Sequence, residues 1–223
     1  MQLTNSNQFS QDARFQALVQ WASQQLDTEV QLQPASSDAS FRRYFRTQAV
    51  KNTTFILMDA PPERENSVAF VDVAERLRKV GVAVPEIKAV DLQQGFMLLE
   101  DLGGTTWLKA LNESNGQEYF NAAIHTLLKM QQADTTGLPL YDEALLKFEL
   151  NLFTEWYLGH HLQVQLPAAL QADFQEASAL LVDSALTQQQ VFVHRDYMPR
   201  NLMVGEPHPR VIDFQDAVPA ATI

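Results

Sequence analysis

The chain has 223 residues, 46% of them hydrophobic, a net charge of −11 and no cysteine. That length allows one domain or two small ones, and the apolar content suits a packed core rather than disorder. The lack of cysteine excludes disulfides and thiolate metal sites. Nucleic acid is not an expected partner, because the only dense basic group is Arg42, Arg43 and Arg46.

The opening MQLTNSNQFSQDARF lacks the basic stretch and apolar core of a signal peptide. No apolar run is long enough to cross a bilayer, so a soluble, cytoplasmic protein with no membrane partner is expected. Asp12 to Leu26 has helical periodicity, with Phe15, Leu18, Val19, Ala22 and Leu26 on one face. Glu29 to Gln33 alternates like a strand, and PASSDAS is a turn cluster. FRRYFR alternates too: Phe41, Arg43 and Phe45 point one way, Arg42, Tyr44 and Arg46 the other. Thr54 to Asp59 is a buried-strand candidate, and with FRRYFR it predicts a hairpin around residues 48–53.

After Pro61 and Pro62, Asn66 or Ser67 can cap a helix carrying Phe70, Val73, Ala74, Leu77 and Val80, which Gly81 ends. Strands are predicted at Glu86 to Val90 and Phe96 to Leu99, followed by a turn at Gly103 and Gly104. Thr105 to Asn112, Gln117 to Gln132, Asp142 to Leu158 and Ala168 to Leu186 then read as helices. Short strands return only near Val191.

Two of these late strands deliver acids to loops. VFVHRDYMPRNLMV places Asp196 after an apolar run and Asn201 five residues on; VIDFQDA places Asp213 at the end of the next run. Phosphoryl transfer from a nucleotide needs magnesium between phosphate oxygens and an acceptor hydroxyl aligned with the γ-phosphate. Magnesium takes hard oxygen ligands and keeps waters, so a carboxylate and an amide oxygen suffice. A separate carboxylate must accept a hydrogen bond from the attacking hydroxyl. The three side chains supply that set. As turn-capping residues they would need no chemistry, but the motif specifies many positions in order.

HRDYMPRN matches the kinase catalytic-loop pattern H-R-D-x-x-x-x-N, and IDFQD stands where kinases carry D-F-G. The chain thereby resembles aminoglycoside-phosphotransferase-like small-molecule kinases. SDASFRRYFR, FILMDAPPE, LLEDLG and EWYLGHHL are similar, more narrowly, to bacterial anomeric N-acetylmuramate/N-acetylglucosamine kinases of cell-wall recycling. The resemblance spans roughly residues 30 to 217 and implies an α+β, protein-kinase-like two-lobe fold. A sheet-rich lobe would cover residues 1–99, a hinge 100–104 and a mainly helical lobe 105–223. Relatives continue into a further helical part, so the second lobe is expected to be incomplete, its C-terminal part truncated.

The same resemblance implies ATP and Mg2+ as cofactors and an amino sugar as the small-molecule partner. Asp196 would be the catalytic base, with Asn201 and Asp213 the metal ligands. PASSDASFRR would lie over the nucleotide phosphates, with Ser37 and Ser40 as donors, and backbone from Glu100 to Leu102 would read the adenine. That loop has no glycine, and TFILMDA has no lysine to pair with the phosphates. Arg43, or Arg42 beside it, is the expected substitute, with Glu75 as its partner, because an arginine fork suits phosphate.

His160 and His161 lack a helical i+4 ligand partner and read as packed or surface residues. Trp107 reads as core, and Asp101 as a cap for the following helix. Two rival functions stand beside amino-sugar phosphorylation. One is a kinase for another alcohol, such as an aminoglycoside or choline. The other is a non-catalytic, nucleotide-binding relative.

Overall fold

The computed structural model describes residues 12–37 and 41–221, without the side chains of Ser36 and Ser37. They divide into two compact units: residues through Thr126 together with Asp196–Gln215, and Leu127–Arg195 together with Asp216 onward.

The first unit is built on an antiparallel sheet of β1 (Leu32–Ser37), β2 (Arg43–Thr47), β3 (Phe55–Asp59), β4 (Ile87–Asp91) and β5 (Phe96–Glu100), in the order β1-β2-β3-β5-β4. Register aligns Phe45, Leu57 and Leu98 across three strands, so they share one face. Helix α1 (Ala13–Leu26) covers that face and packs Leu18, Trp21 and Ala22 against Phe45, Leu57, Phe96 and Leu98. The Asp12 carboxylate caps α1 by accepting from the backbone N–H groups of Arg14 and Phe15. Alternation then assigns Tyr44, Arg46, Ile56 and Leu99 to the opposite face.

Strand β1 starts later than the sequence predicts and takes in half of the expected turn. Pro34 is tolerated because β1 is an edge strand, and the register shifts between Pro34 and Ser36. Helix α2 (Ser67–Lys79), capped by Asn66, buries Phe70, Val73, Ala74 and Leu77, as its periodicity predicts. The expected helix over 105–112 shrinks to α3 (Trp107–Ala110), and α4 (Gly116–Met130) follows.

Residues 196–215 complete this unit. Their hairpin, β7 (Leu202–Met203) and β8 (Arg210–Val211), is docked by backbone bonds at both strands: Val204 N–H to Thr105 O (3.0 Å) and Val211 N–H to Ala83 O (2.7 Å). Phe214 is fully buried against Phe70 of α2, ring centroids 4.9 Å apart. At the hairpin tip, His208 packs on both Trp107 and Tyr119 at 4.6 Å.

In the second unit, α5 (Glu143–Leu152), capped by Asp142, runs into a π-helical stretch, Phe153–His161, where the sequence predicts plain α-helix. The wider turn lets rings four apart stack: Phe153 on Tyr157, Trp156 on His160 and Tyr157 on His161. Helix α6 (Ala168–Thr187) leads to β6 (Gln190–Val193), which pairs antiparallel with β9 (Val218–Ala221). The second strand of that pair comes from VPAA, which carries no clear strand signal.

Gly95, in the β4–β5 turn, has φ +73°, and a Cβ there would lie 1.9 Å from the Ala60 carbonyl oxygen. Gly81 has a similar φ of +75° but open space around it. Gly81→Ala is therefore expected to cost about 1–2 kcal/mol of backbone strain, and Gly95→Ala distinctly more. Urea unfolding of both variants measures the difference; equal losses would show that the Ala60 contact does not constrain the turn.

Candidate functional site

The acid loop is held by backbone and amide bonds that its sequence alone does not display. Pro199–Asn201 forms a 3₁₀ turn, closed by Asn201 N–H to Met198 O at 2.8 Å. The Asn201 amide nitrogen donates to Asp196 O (2.9 Å) and to Asp213 Oδ2 (3.3 Å). Its Oδ1 is thus the amide atom left for a cation. Gln215 Nε2 donates to the other Asp213 oxygen at 3.0 Å, and Ile212 N–H bonds Asn201 O at 3.0 Å. Arg195 and Asp213 both have left-handed backbone, φ 73° and 64°, rare for residues with a Cβ. Such strain concentrates where a side chain must be aimed.

Asp196, Asn201 and Asp213 line one cavity of about 580 Å³ with Glu100 and Leu102. Tyr44, Arg46, Ile56 and Leu99, the sheet face away from α1, form another part of its wall. One carboxylate and one amide oxygen are hard donors that suit magnesium shared with phosphate oxygens. No cluster of three or more His, Cys, Asp or Glu fit for a metal occurs among the described residues.

The remaining expected positions fare differently. Ser40 lies outside the described residues, as does the side chain of Ser37. Arg43 does not line the cavity. Strand alternation puts it on the α1 face beside Phe45, where its Nε donates to Asp59 Oδ2 (2.9 Å) and its guanidinium also pairs with Asp12. Asp59, fully buried, is gripped on its other oxygen by Arg14 Nε at 3.0 Å. The Arg43 hydrogen bond holds Asp12 below the usual carboxylate range. Burial alone would lower the Arg43 pKa, but Asp12 and Asp59 outweigh it and raise it. Arg42 pairs with Glu65 at 2.9 Å, where Glu75 was the expected partner.

The cations that do reach the cavity are Arg46, Lys109 and Arg200. Sequence reading passed over the last two, and treated Arg46 only as part of a basic cluster. The alternation of FRRYFR held the signal for Arg46: if Phe45 is core, Tyr44 and Arg46 face away from it. Asp101 does not cap the next helix. It takes a bidentate grip from Arg46 (2.6 and 3.0 Å), a bond from Thr54 Oγ1 (2.6 Å) and one from Gly103 N–H (2.9 Å). Burial would raise the Asp101 pKa, but these donors outweigh it and lower it from 3.8. Glu100 is likewise occupied, by Arg210 at 2.5 Å and by Glu86 N–H at 3.2 Å. The segment facing the cavity is therefore pinned by its own side chains to β2 and β8.

A sheet with its docked acid hairpin and phosphate-suited donors defines a class of protein. The sequence model of the phosphotransferase enzyme family matches residues 31–221, and the chain belongs to that family. Its fold is the α+β, protein-kinase-like one of aminoglycoside phosphotransferase APH(4)-Ia, solved with ADP and hygromycin B. That likeness has a TM-score of 0.62 at 13% identity, covering 92% of this chain and 73% of the other. A choline/ethanolamine kinase family protein from Mesorhizobium loti aligns with a TM-score of 0.56 at 18% identity, covering 85% and 59%. By sequence, the chain is 49% identical over 221 residues to the N-acetylmuramate/N-acetylglucosamine kinase of Pseudomonas aeruginosa, covering 94% of this chain and 65% of that protein. The Pseudomonas putida and Neisseria meningitidis proteins of the same name are 48% and 36% identical, covering 93% and 82% of this chain. The chain spans 64% and 56% of those two lengths, so it is shorter than two thirds of each curated relative.

Two outcomes follow from this charge arrangement. Arg43→Ala is expected to destabilise the fold by roughly 1–3 kcal/mol while leaving nucleotide affinity within about twofold; a larger affinity loss would return Arg43 to the phosphates. Asp101, with its folded pKa lowered, stabilises the fold above its ordinary value of 3.8 and loses that contribution as pH falls through the folded value. The stability gap between wild type and Asp101→Asn should therefore be full at neutral pH and close in acid, measured by denaturation across pH.

Proposed function

We propose that this protein is an ATP-dependent small-molecule kinase that phosphorylates N-acetylmuramate or N-acetylglucosamine on the anomeric hydroxyl. The observation that carries the reading is the convergence of Asp196, Asn201 and Asp213 on a cavity that extends to Glu100–Leu102. The 49% identity to a kinase of that name supports the acceptor class. Residues 100–104 are proposed as the hinge beside the nucleobase, between a sheet-rich lobe of residues 1–99 and a mainly helical lobe from residue 105 on.

In this reading, Asp196 accepts a hydrogen bond from the acceptor hydroxyl and takes its proton as that oxygen bonds to the γ-phosphorus of ATP, while the bond from the γ-phosphorus to the bridging oxygen breaks and ADP leaves with that oxygen. The anomeric hydroxyl is the most acidic of a free sugar, which suits a carboxylate acceptor. Asn201 acts twice: its nitrogen fixes the Asp196 and Asp213 turns, and its oxygen, with Asp213, would hold magnesium. Bound there, magnesium would offset charge on the phosphoryl oxygens. Gln215 keeps the Asp213 carboxylate oriented.

A cationic acceptor such as an aminoglycoside or choline would favour an acidic lining. Two carboxylates of this cavity are already neutralised by Arg46 and Arg210, and Lys109 and Arg200 add positive charge. This favours a neutral or anionic acceptor.

ADP release with magnesium, measured for the full chain on N-acetylmuramate, N-acetylglucosamine, kanamycin and choline, tests the reading. Release is expected with the amino sugars and is expected to fall by about 10²–10⁴ in Asp196→Asn. Release only with kanamycin or choline would move the chain to another acceptor. Tight ATP binding without any release would make it a non-catalytic relative.

A further inference from the structure

Of the three cations on the cavity, Arg46 is committed to Asp101. Among the described residues, Lys109 and Arg200 have no carboxylate at ion-pair distance. A guanidinium on a cavity wall without an internal counter-charge is suited to an anionic group of a ligand, which it can bind through two parallel hydrogen bonds.

Position along the chain separates the two. Lys109 lies on α3, close in sequence to Gly104 and the lining residues Glu100–Leu102. Arg200 lies in the 3₁₀ turn between Asp196 and Asn201, whose backbone is fixed by the Asn201 N–H to Met198 O bond. The inference rests on the amino-sugar reading above: the acceptor hydroxyl meets Asp196, so Arg200 flanks the acceptor rather than the base.

The two sugars in that reading differ in charge. N-acetylmuramate carries a lactyl ether, and so a carboxylate, on its C3 oxygen; N-acetylglucosamine has an uncharged hydroxyl there. C3 is two ring atoms from C1, so its substituent comes close to whatever surrounds the anomeric hydroxyl. We infer that Arg200 determines acceptor specificity by pairing with the carboxylate of N-acetylmuramate. The neutral sugar uses the same site without that contact.

Steady-state kinetics of the full chain and its Arg200→Gln and Arg200→Lys variants, with both sugars, tests this. The readout is the ratio of kcat/KM for N-acetylmuramate over that for N-acetylglucosamine. Arg200→Gln is expected to lower the ratio about ten- to a hundredfold, through KM of the charged sugar, the size of a lost charge-assisted hydrogen bond. Arg200→Lys should restore part of it. A ratio unchanged from wild type, whether both sugars lose activity together or neither does, overturns the assignment; a joint loss would point to the phosphoryl group instead. If wild type phosphorylates neither sugar, the amino-sugar reading itself falls, and this assignment with it.

Discussion

A single side-chain amide, that of Asn201, ties the Asp196 turn to the Asp213 turn. Its nitrogen donates both to the backbone carbonyl oxygen of Asp196 and to the Asp213 carboxylate at Oδ2. It lies at the end of the turn from Asp196 and at the start of the strand that pairs toward Asp213, so one side chain sets both turns. The hairpin is in turn fixed from outside, by Thr105, by Ala83 and by Phe70 against Phe214. That docking backs the left-handed turn at Asp213, which directly follows the hairpin.

Strand β2 sorts the remaining charge. Its alternation sends Arg43 to the α1 face and Arg46 to the cavity. On the first face, Asp59 is buried between Arg14 and Arg43, and this network fastens α1 to the sheet. A buried carboxylate stripped of such partners would be strongly destabilising. On the second face, Arg46 anchors Asp101, so the same strand that closes the core also braces the segment lining the cavity. Fold and site share one element, with charge divided between its sides.

Much of this was legible in order along the chain. Helices α1 and α2, strands β2 to β5 and the acid loop follow from periodicity, capping residues and a motif with many specified positions. The misreadings have identifiable causes. Pro34 looked like a turn because edge placement, which excuses its missing donor, is a property of the sheet. The widening of the helix at Phe153 and the pairing of VPAA with β6 depend on stacking and strand partners that no local pattern announces. Arg43 was matched to phosphate by residue type, although the alternation already placed it beside a core phenylalanine.

The sequence by itself determined the order of Asp196, Asn201 and Asp213, the two aspartates following apolar runs and the asparagine preceding one, because motif and strand period are local properties. Tertiary structure decided which charges are free to act. Arg43, Glu100 and Asp101 are consumed by partners 16 to 110 residues away, whereas Lys109 and Arg200 reach the cavity without one among the described residues. Charge pairing across such separations is set by strand register and hairpin docking, so residue type alone could not reveal it.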